Sequence, residues 1–317
     1  MTTARYRDAL PQLSGRRMLT DSGLETTLIF HDGIDLPLFA SFALLASAEG
    51  RARLRGYFDR HAEIAVSHGM GFIADTPTWR ASRDWGERLG FNAVALARLN
   101  HEAVRMMFAL RDRWERPASP VVVSGNIGPR GDGYAPDRMM TPDEAQDYHT
   151  HEVETFARAG VDMITVMTMT HAGEAIGIAR AAKAAAVPVS LGLTVETDGR
   201  LPTGQPLGEA VEELDGSGAA PTYYMINCAH PDHFRDVLAA GGAWRNRIRA
   251  IRANASSKSH AELDEATELD AGDPHGLGAD YAGLLRLLPS LSVFGGCCGT
   301  DHRHVEAMAD ACMAQAA

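Results

Sequence analysis

The chain has 317 residues, 45% of them hydrophobic and 22% charged, with a formal net charge of −11. This composition supports a large core, excludes global disorder, and argues against a nucleic-acid partner, which would need a basic face. No apolar run approaches the ~18 residues of a membrane span, the start Met1-Thr2-Thr3-Ala4-Arg5-Tyr6-Arg7-Asp8 lacks the apolar segment of a secretory signal, and four unevenly placed cysteines then read as reduced thiols of a cytoplasmic protein.

Short strand-like runs alternate with stretches of helical period. Arg17 to Thr20 rises into Asp21-Ser22-Gly23, and Gly71 to Ala74 into Asp75-Thr76. Pro120 to Val123 leads into Ser124-Gly125-Asn126, and Met163 to Val166 into Met167-Thr168. Pro188 to Leu193 is followed by Thr194, and Tyr223 to Ile226 by Asn227-Cys228. Ile248 to Arg252 leads into Ala253-Asn254, and Leu291 to Phe294 into Gly295-Gly296-Cys297-Cys298. Helical period covers Tyr57 to Val66, Ala93 to Leu110, Asp143 to Ala159 and Ala172 to Ala186. Thr141-Pro142-Asp143-Glu144 has the make-up of a helix start: a capping Thr, Pro at the first position and acids in the first turn.

Eight alternations over this length predict an α/β fold of the (β/α)8 barrel type, as one domain spanning 1–317. A doubly wound sheet is the alternative, with fewer strands or an added domain. In a barrel all strand ends face one mouth, so Cys228 from the sixth run meets Cys297 and Cys298 from the eighth. Three thiolates gathered this way bind Zn2+ and can leave its fourth position open. A buried inert set, or a disulfide between the neighbours Cys297 and Cys298, is the plainer alternative. Cys312 lies in an Ala-rich terminal helix and reads as packing, and the 13 histidines show no ligand spacing. The acidic stretch 256–280 reads first as a solvated surface loop; the alternative is a lid, since loops after barrel strands cover the mouth.

These residues resemble the homocysteine S-methyltransferase family over nearly the whole chain. Asp21-Ser22-Gly23-Leu24-Glu25-Thr26 is similar to its opening Asp-Gly-Gly-x-Gly-Thr motif. Thr76-Pro77-Thr78-Trp79-Arg80-Ala81-Ser82 is similar to its second-strand Thr-x-Thr-aromatic motif, and Ser124-Gly125-Asn126-Ile127-Gly128-Pro129 to its Gly-Ser-x-Gly-Pro motif. Gly204-Gln205-Pro206-Leu207 resembles the segment after strand five. Asn227-Cys228 with Gly295-Gly296-Cys297-Cys298 matches the zinc-ligand motifs, the most specific part of the likeness.

The resemblance implies a zinc-dependent transfer of a methyl group from a small sulfonium or betaine-type donor to a thiol, with homocysteine giving methionine. Cys228, Cys297 and Cys298 would be both metal ligands and catalytic groups. Asp21, Gly23, Glu25, Thr76, Thr78, Asn126 and Asn227 would contact the acceptor: Asp21 through its ammonium, the two threonines through its carboxylate. Trp79 could face a methyl cation. The partners are then the small thiol and donor, without nucleic acid or membrane; a homo-oligomer is a possible assembly. Two positions depart from the family. Met167 stands where members often carry a glutamate for the amino group, and Glu25 where they have a small residue. A different small thiol as acceptor, or a noncatalytic zinc- or thiol-binding protein, are the competing readings.

Overall fold

The computed structural model describes residues 4–136 and 139–314. Eight parallel strands close into a barrel in sequence order: β1 Met18–Leu19, β2 Gly71–Asp75, β3 Val121–Ile127, β4 Met163–Met169, β5 Val189–Leu193, β6 Tyr223–Asn227, β7 Ile248–Ala253 and β8 Val293–Gly296. β8 pairs back onto β1 through Met18 with Val293 and Leu19 with Phe294. Each strand is followed by a helix: α1 Ala48–Ser67, α2 Ala93–Trp114, α3 Pro142–Ala159, α4 Ala172–Ala184, α5 Leu207–Gly216, α6 Pro231–Ala239, α7 Pro274–Leu287 and α8 His302–Ala314. This is the expected (β/α)8 barrel. No helix is long and apolar enough to cross a membrane.

Local chemistry sets the boundaries. Thr141 caps α3 as its sequence suggests, its hydroxyl accepting from Glu144 N while the Glu144 carboxylate accepts from Thr141 N. Gly160 ends that helix at φ 87°, a left-handed conformation glycine takes without steric cost. Parallel strands buried on both faces read as continuous apolar runs, and every residue of β2, β3, β4, β5, β6 and β8 is buried.

Two cores result. The larger lies between strands and helices. The smaller packs Met18, Ile73, Val122, Met163, Met167, Tyr223, Met225, Ala250 and Val293 against one another within the barrel. The closed end is sealed by Gln12 Nε2 donating to Tyr223 Oη at 3.2 Å. There Asp162 also accepts from Arg111 Nη1 at 2.9 Å and from Val123 N at 2.8 Å. The other end carries the polar strand termini, so chemistry is confined to one mouth.

Candidate active site

The mouth holds a cavity of about 410 Å³. Cys228, Cys297 and Cys298 line it together, and their sulfurs all lie within 4.8 Å of one another. No other cluster of three such ligands occurs among the described residues. Cys228 takes φ 55° just after β6, a left-handed turn that a side chain rarely adopts. Its N donates to Arg252 O at 3.0 Å and its Sγ accepts from Thr168 Oγ1 at 3.6 Å. Thr168 is itself left-handed at φ 64°, beside a register shift between Val166 and Met169 where β4 meets β5. Asn227 holds this bulge: its Oδ1 accepts from Thr168 N at 2.9 Å, and its Nδ2 donates to Thr168 Oγ1 at 2.8 Å. Asn227, expected against substrate, thus supports Thr168 and through it Cys228.

Cys228 and Cys297 are joined as a disulfide, with their Cα atoms 5.4 Å apart. The pairing runs between strand ends, not between the sequence neighbours Cys297 and Cys298 that the plainer alternative would have joined. It departs from the expectation of reduced thiols: the convergence that would let the two sulfurs share a cation also brings them close enough to bond to each other. Cys298 remains a free thiol, accepting from Tyr134 Oη at 3.2 Å, and burial pushes it up to about 11. Cys312 is buried in α8, as the Ala-rich helix suggested.

Gly23 explains how the first loop approaches this cluster. A Cβ on it would collide with the carbonyl oxygen of Cys297, so only glycine permits the contact. Its N donates to Thr300 Oγ1 at 3.1 Å.

The wall contributed by β1, β2 and β7 is built differently. Arg252 is buried, and its Nη2 donates to Asp21 Oδ1 at 2.7 Å and its Nη1 to Asp75 Oδ2 at 2.9 Å. Its Nε donates to Gly296 O at 3.0 Å. Asp21 Oδ2 accepts from Tyr57 Oη at 3.2 Å. Asp21 is therefore engaged on both oxygens by the protein, where an ammonium of the acceptor was expected. Burial raises Asp75 to about 6, with Arg252 opposing the shift. Behind this set, His61 Nδ1 donates to Tyr57 O at 2.9 Å and Nε2 accepts from Ser22 Oγ at 2.8 Å, and burial lowers its pKa to about 4.

Glu25 lines the cavity and accepts from Ser41 Oγ at 2.7 Å; burial raises its pKa. Thr76 Oγ1 and Thr78 Oγ1 are 2.7 Å apart. Thr78 Oγ1 donates to Asn126 O at 2.7 Å, and Asn126 N donates to Thr76 Oγ1 at 2.9 Å. The two hydroxyls hold the backbone at Asn126. The Asn126 side chain lines the cavity, its Oδ1 without a protein partner. Trp79 lines it too, but the cation over its ring is Arg80, with the guanidinium carbon 4.4 Å from the centroid.

The first part of the stretch 256–280 covers the mouth as a lid, while residues 274–280 already belong to α7. Leu263, Asp264, Ala266, Glu268, Leu269 and Asp270 line the same cavity as the cysteines. It carries a short helix, His260–Asp264. His260 stacks on Tyr134 with ring centroids 4.0 Å apart, and its Nε2 donates to Cys228 O at 2.7 Å. Lid and β3–α3 loop thus meet in front of the sulfurs. Sequence reasoning missed Arg252, Tyr134 and His260. The one available signal was a charge, Arg252, closing the apolar seventh run.

A model of the family described as homocysteine S-methyltransferase matches residues 18–312. The chain belongs to the homocysteine S-methyltransferase family. It is accordingly an S-methyltransferase. Among relatives, it is 25% identical over 313 residues to homocysteine S-methyltransferase 4 of Zea mays, covering 94% of this chain and 90% of that protein. The fold is shared with the homocysteine methyltransferase MmuM of Escherichia coli. Its metallated form has a TM-score of 0.70 at 18% identity, covering 96% of this chain and 99% of that one. Its oxidized form has a TM-score of 0.73 at 18% identity, covering 96% and 98%.

Proposed function

We propose that this protein methylates a small thiol, with homocysteine as acceptor and a small sulfonium or betaine-type donor, using zinc held by Cys228, Cys297 and Cys298. The observation that carries this reading is the convergence of three sulfurs within 4.8 Å at one wall of the mouth cavity. With the Cys228–Cys297 bond reduced, three thiol donors and no oxygen ligand among the clustered residues suit a soft or borderline cation such as zinc. When bound there, zinc lowers the pKa of an incoming thiol and keeps its sulfur nucleophilic at neutral pH. We read residues 1–317 as one barrel domain with one such site, in a compartment reducing enough to keep the thiols free.

The residues around the sulfurs have separable roles. Asn227, through Thr168, orients Cys228, and Gly23 lets the first loop close against Cys297. Thr76 and Thr78 set the backbone that presents the Asn126 side chain. Glu25 offers negative charge to an acceptor ammonium, while Asp21 supports the wall through Arg252. The lid and Tyr134 exclude water. In the transfer, the acceptor thiolate attacks the donor methyl carbon. A new C–S bond forms as the donor's C–S or C–N bond breaks, and its electron pair leaves with the donor heteroatom. Opposite charges are neutralised along this path, so a dry cavity favours it.

The test is metal analysis of protein purified under reducing conditions, together with a panel of methyl donors crossed with thiols, read by mass spectrometry. One zinc per chain and paired formation of demethylated donor and methylated thiol are expected. Zinc without turnover on any pair would favour a binding protein; turnover without metal would overturn the zinc assignment.

A further inference from the structure

Among the described residues two guanidinium groups line the cavity, and they are in opposite states. Arg252 is saturated by Asp21, Asp75 and the Gly296 carbonyl. Arg80 is as well buried, at 8% exposure, but is poorly matched. Its Nη1 donates to Gly131 O at 3.3 Å. Among the described residues its Nη2 makes no hydrogen bond, and the one carboxylate oxygen within 4.0 Å of it is Asp132 Oδ2 at 3.8 Å. That acid is 43% exposed, and its Oδ1 is engaged by the N–H groups of Tyr134 and Ala135. Arg80 Nε is buried with no partner, as is the indole Nε1 of the adjacent Trp79.

The side chain is also held rigidly. Its guanidinium carbon lies 3.7 Å from the Trp85 ring centroid and 4.4 Å from that of Trp79, so the cation is seated against two aromatic rings. A buried guanidinium with donors to spare carries a desolvation cost that one long hydrogen bond, a 3.8 Å ion pair and two aromatic rings offset only in part. The group that fits it is a planar anion with paired oxygens.

We propose that Arg80 binds the carboxylate of a substrate, as a specificity-determining residue. This rests on the methyltransferase reading above. It shifts recognition away from the ammonium end, where Asp21 is held by Arg252 and Met167 offers no charge. The carboxylate has two sources in this chemistry, a thiol amino acid as acceptor or an amino-acid onium as donor.

The test compares wild type, Arg80→Gln and Arg80→Lys, each checked for a native melting transition. In steady-state kinetics, homocysteine is set against 3-aminopropane-1-thiol as acceptor, and S-methylmethionine against trimethylsulfonium as donor. Arg80→Gln should raise KM for the carboxylate-bearing partner ~10- to 150-fold, the range of a charge-assisted hydrogen bond. KM for the carboxylate-free partner should stay within a few-fold, and Arg80→Lys should restore part of the loss. A rise confined to homocysteine assigns the acceptor; one confined to S-methylmethionine assigns the donor. Equal changes for partners with and without the carboxylate on both sides would overturn the proposal. Calorimetric titration with L-methionine and 3-(methylthio)propylamine separates it from the functional reading. If wild type turns over no pair, the function fails on its own account. Arg80 is still refuted if its Gln variant binds methionine as tightly as wild type.

Discussion

The two walls of the mouth handle polar groups in opposite ways. On the β6 and β8 side, three sulfurs converge; Cys228 and Cys297 are bonded to each other, and the only polar side chains on the cluster among the described residues are Thr168 and Tyr134. On the β1, β2 and β7 side, two carboxylates, a guanidinium and a phenol are paired with one another, with Asp75 Oδ1 the one carboxylate oxygen of the set left over. The first wall is prepared for a ligand; the second is structure. A charged residue at a barrel mouth therefore signals binding only when the protein leaves it incomplete. Identity and position alone do not separate Asp21 from Arg80; partners do.

The largest effect expected from breaking this contrast is on the sulfur side. Cys298→Ala, and equally Cys228→Ala or Cys297→Ala, should lose zinc and methyl transfer while keeping the barrel's circular dichroism. Cys312→Ala should change neither. Full zinc and full activity in Cys298→Ala would remove that thiol from the ligand set.

On the opposite wall the expected effect is on stability. Arg252→Met leaves Asp21 and Asp75 buried without their cation, which should cost about 3–5 kcal/mol. Urea unfolding at neutral pH measures it. A loss under about 1 kcal/mol would mean that the wall is not held by this pair.

His61, behind the same wall, gives a pH signature. Its folded pKa of about 4 lies below its ordinary 6.5. Between those values the unfolded chain binds the proton and the native state does not, so native stability is lost as pH falls through that window. The stability difference between wild type and His61→Gln should move against wild type by up to about 3 kcal/mol from pH 7 to pH 4. Taking the difference cancels Asp75, whose raised pKa acts with the opposite sign over nearly the same range. A pH-independent difference would show that His61 does not titrate as buried.

The smallest effect concerns Glu25. If it reads the acceptor ammonium, Glu25→Gln should weaken homocysteine binding by about 10- to 150-fold, or ~1.5–3 kcal/mol. Use of 4-mercaptobutanoate, which lacks the amino group, should barely change. Equal losses on both acceptors would return Glu25 to the structural wall.

The barrel was legible because each strand buries both faces and so announces itself as an apolar run ending in polar residues. The ends were less legible. The eighth strand begins at Val293, not Leu291, and β3 runs on to Ile127, because pairing partners set where a ladder stops. The cysteines could be read from residue type and barrel topology alone. The wall could not, because Asp21 and Arg252 are 231 positions apart and nothing local says that they meet. The stretch 256–280 was legible in part, since Glu262, Asp264, Glu265, Glu268 and Asp273 are exposed as a solvated loop requires. Its acids look solvated in sequence, and only the contacts of His260 with Tyr134 and Cys228 bring it over the mouth.

Cys228 keeps a left-handed backbone at φ 55°. A residue with a Cβ sits there at a cost of roughly 1–2 kcal/mol that glycine would avoid. Drift toward a more stable protein therefore favours discarding the sulfur at that position, and a barrel that lost its chemistry would be expected to show glycine there first.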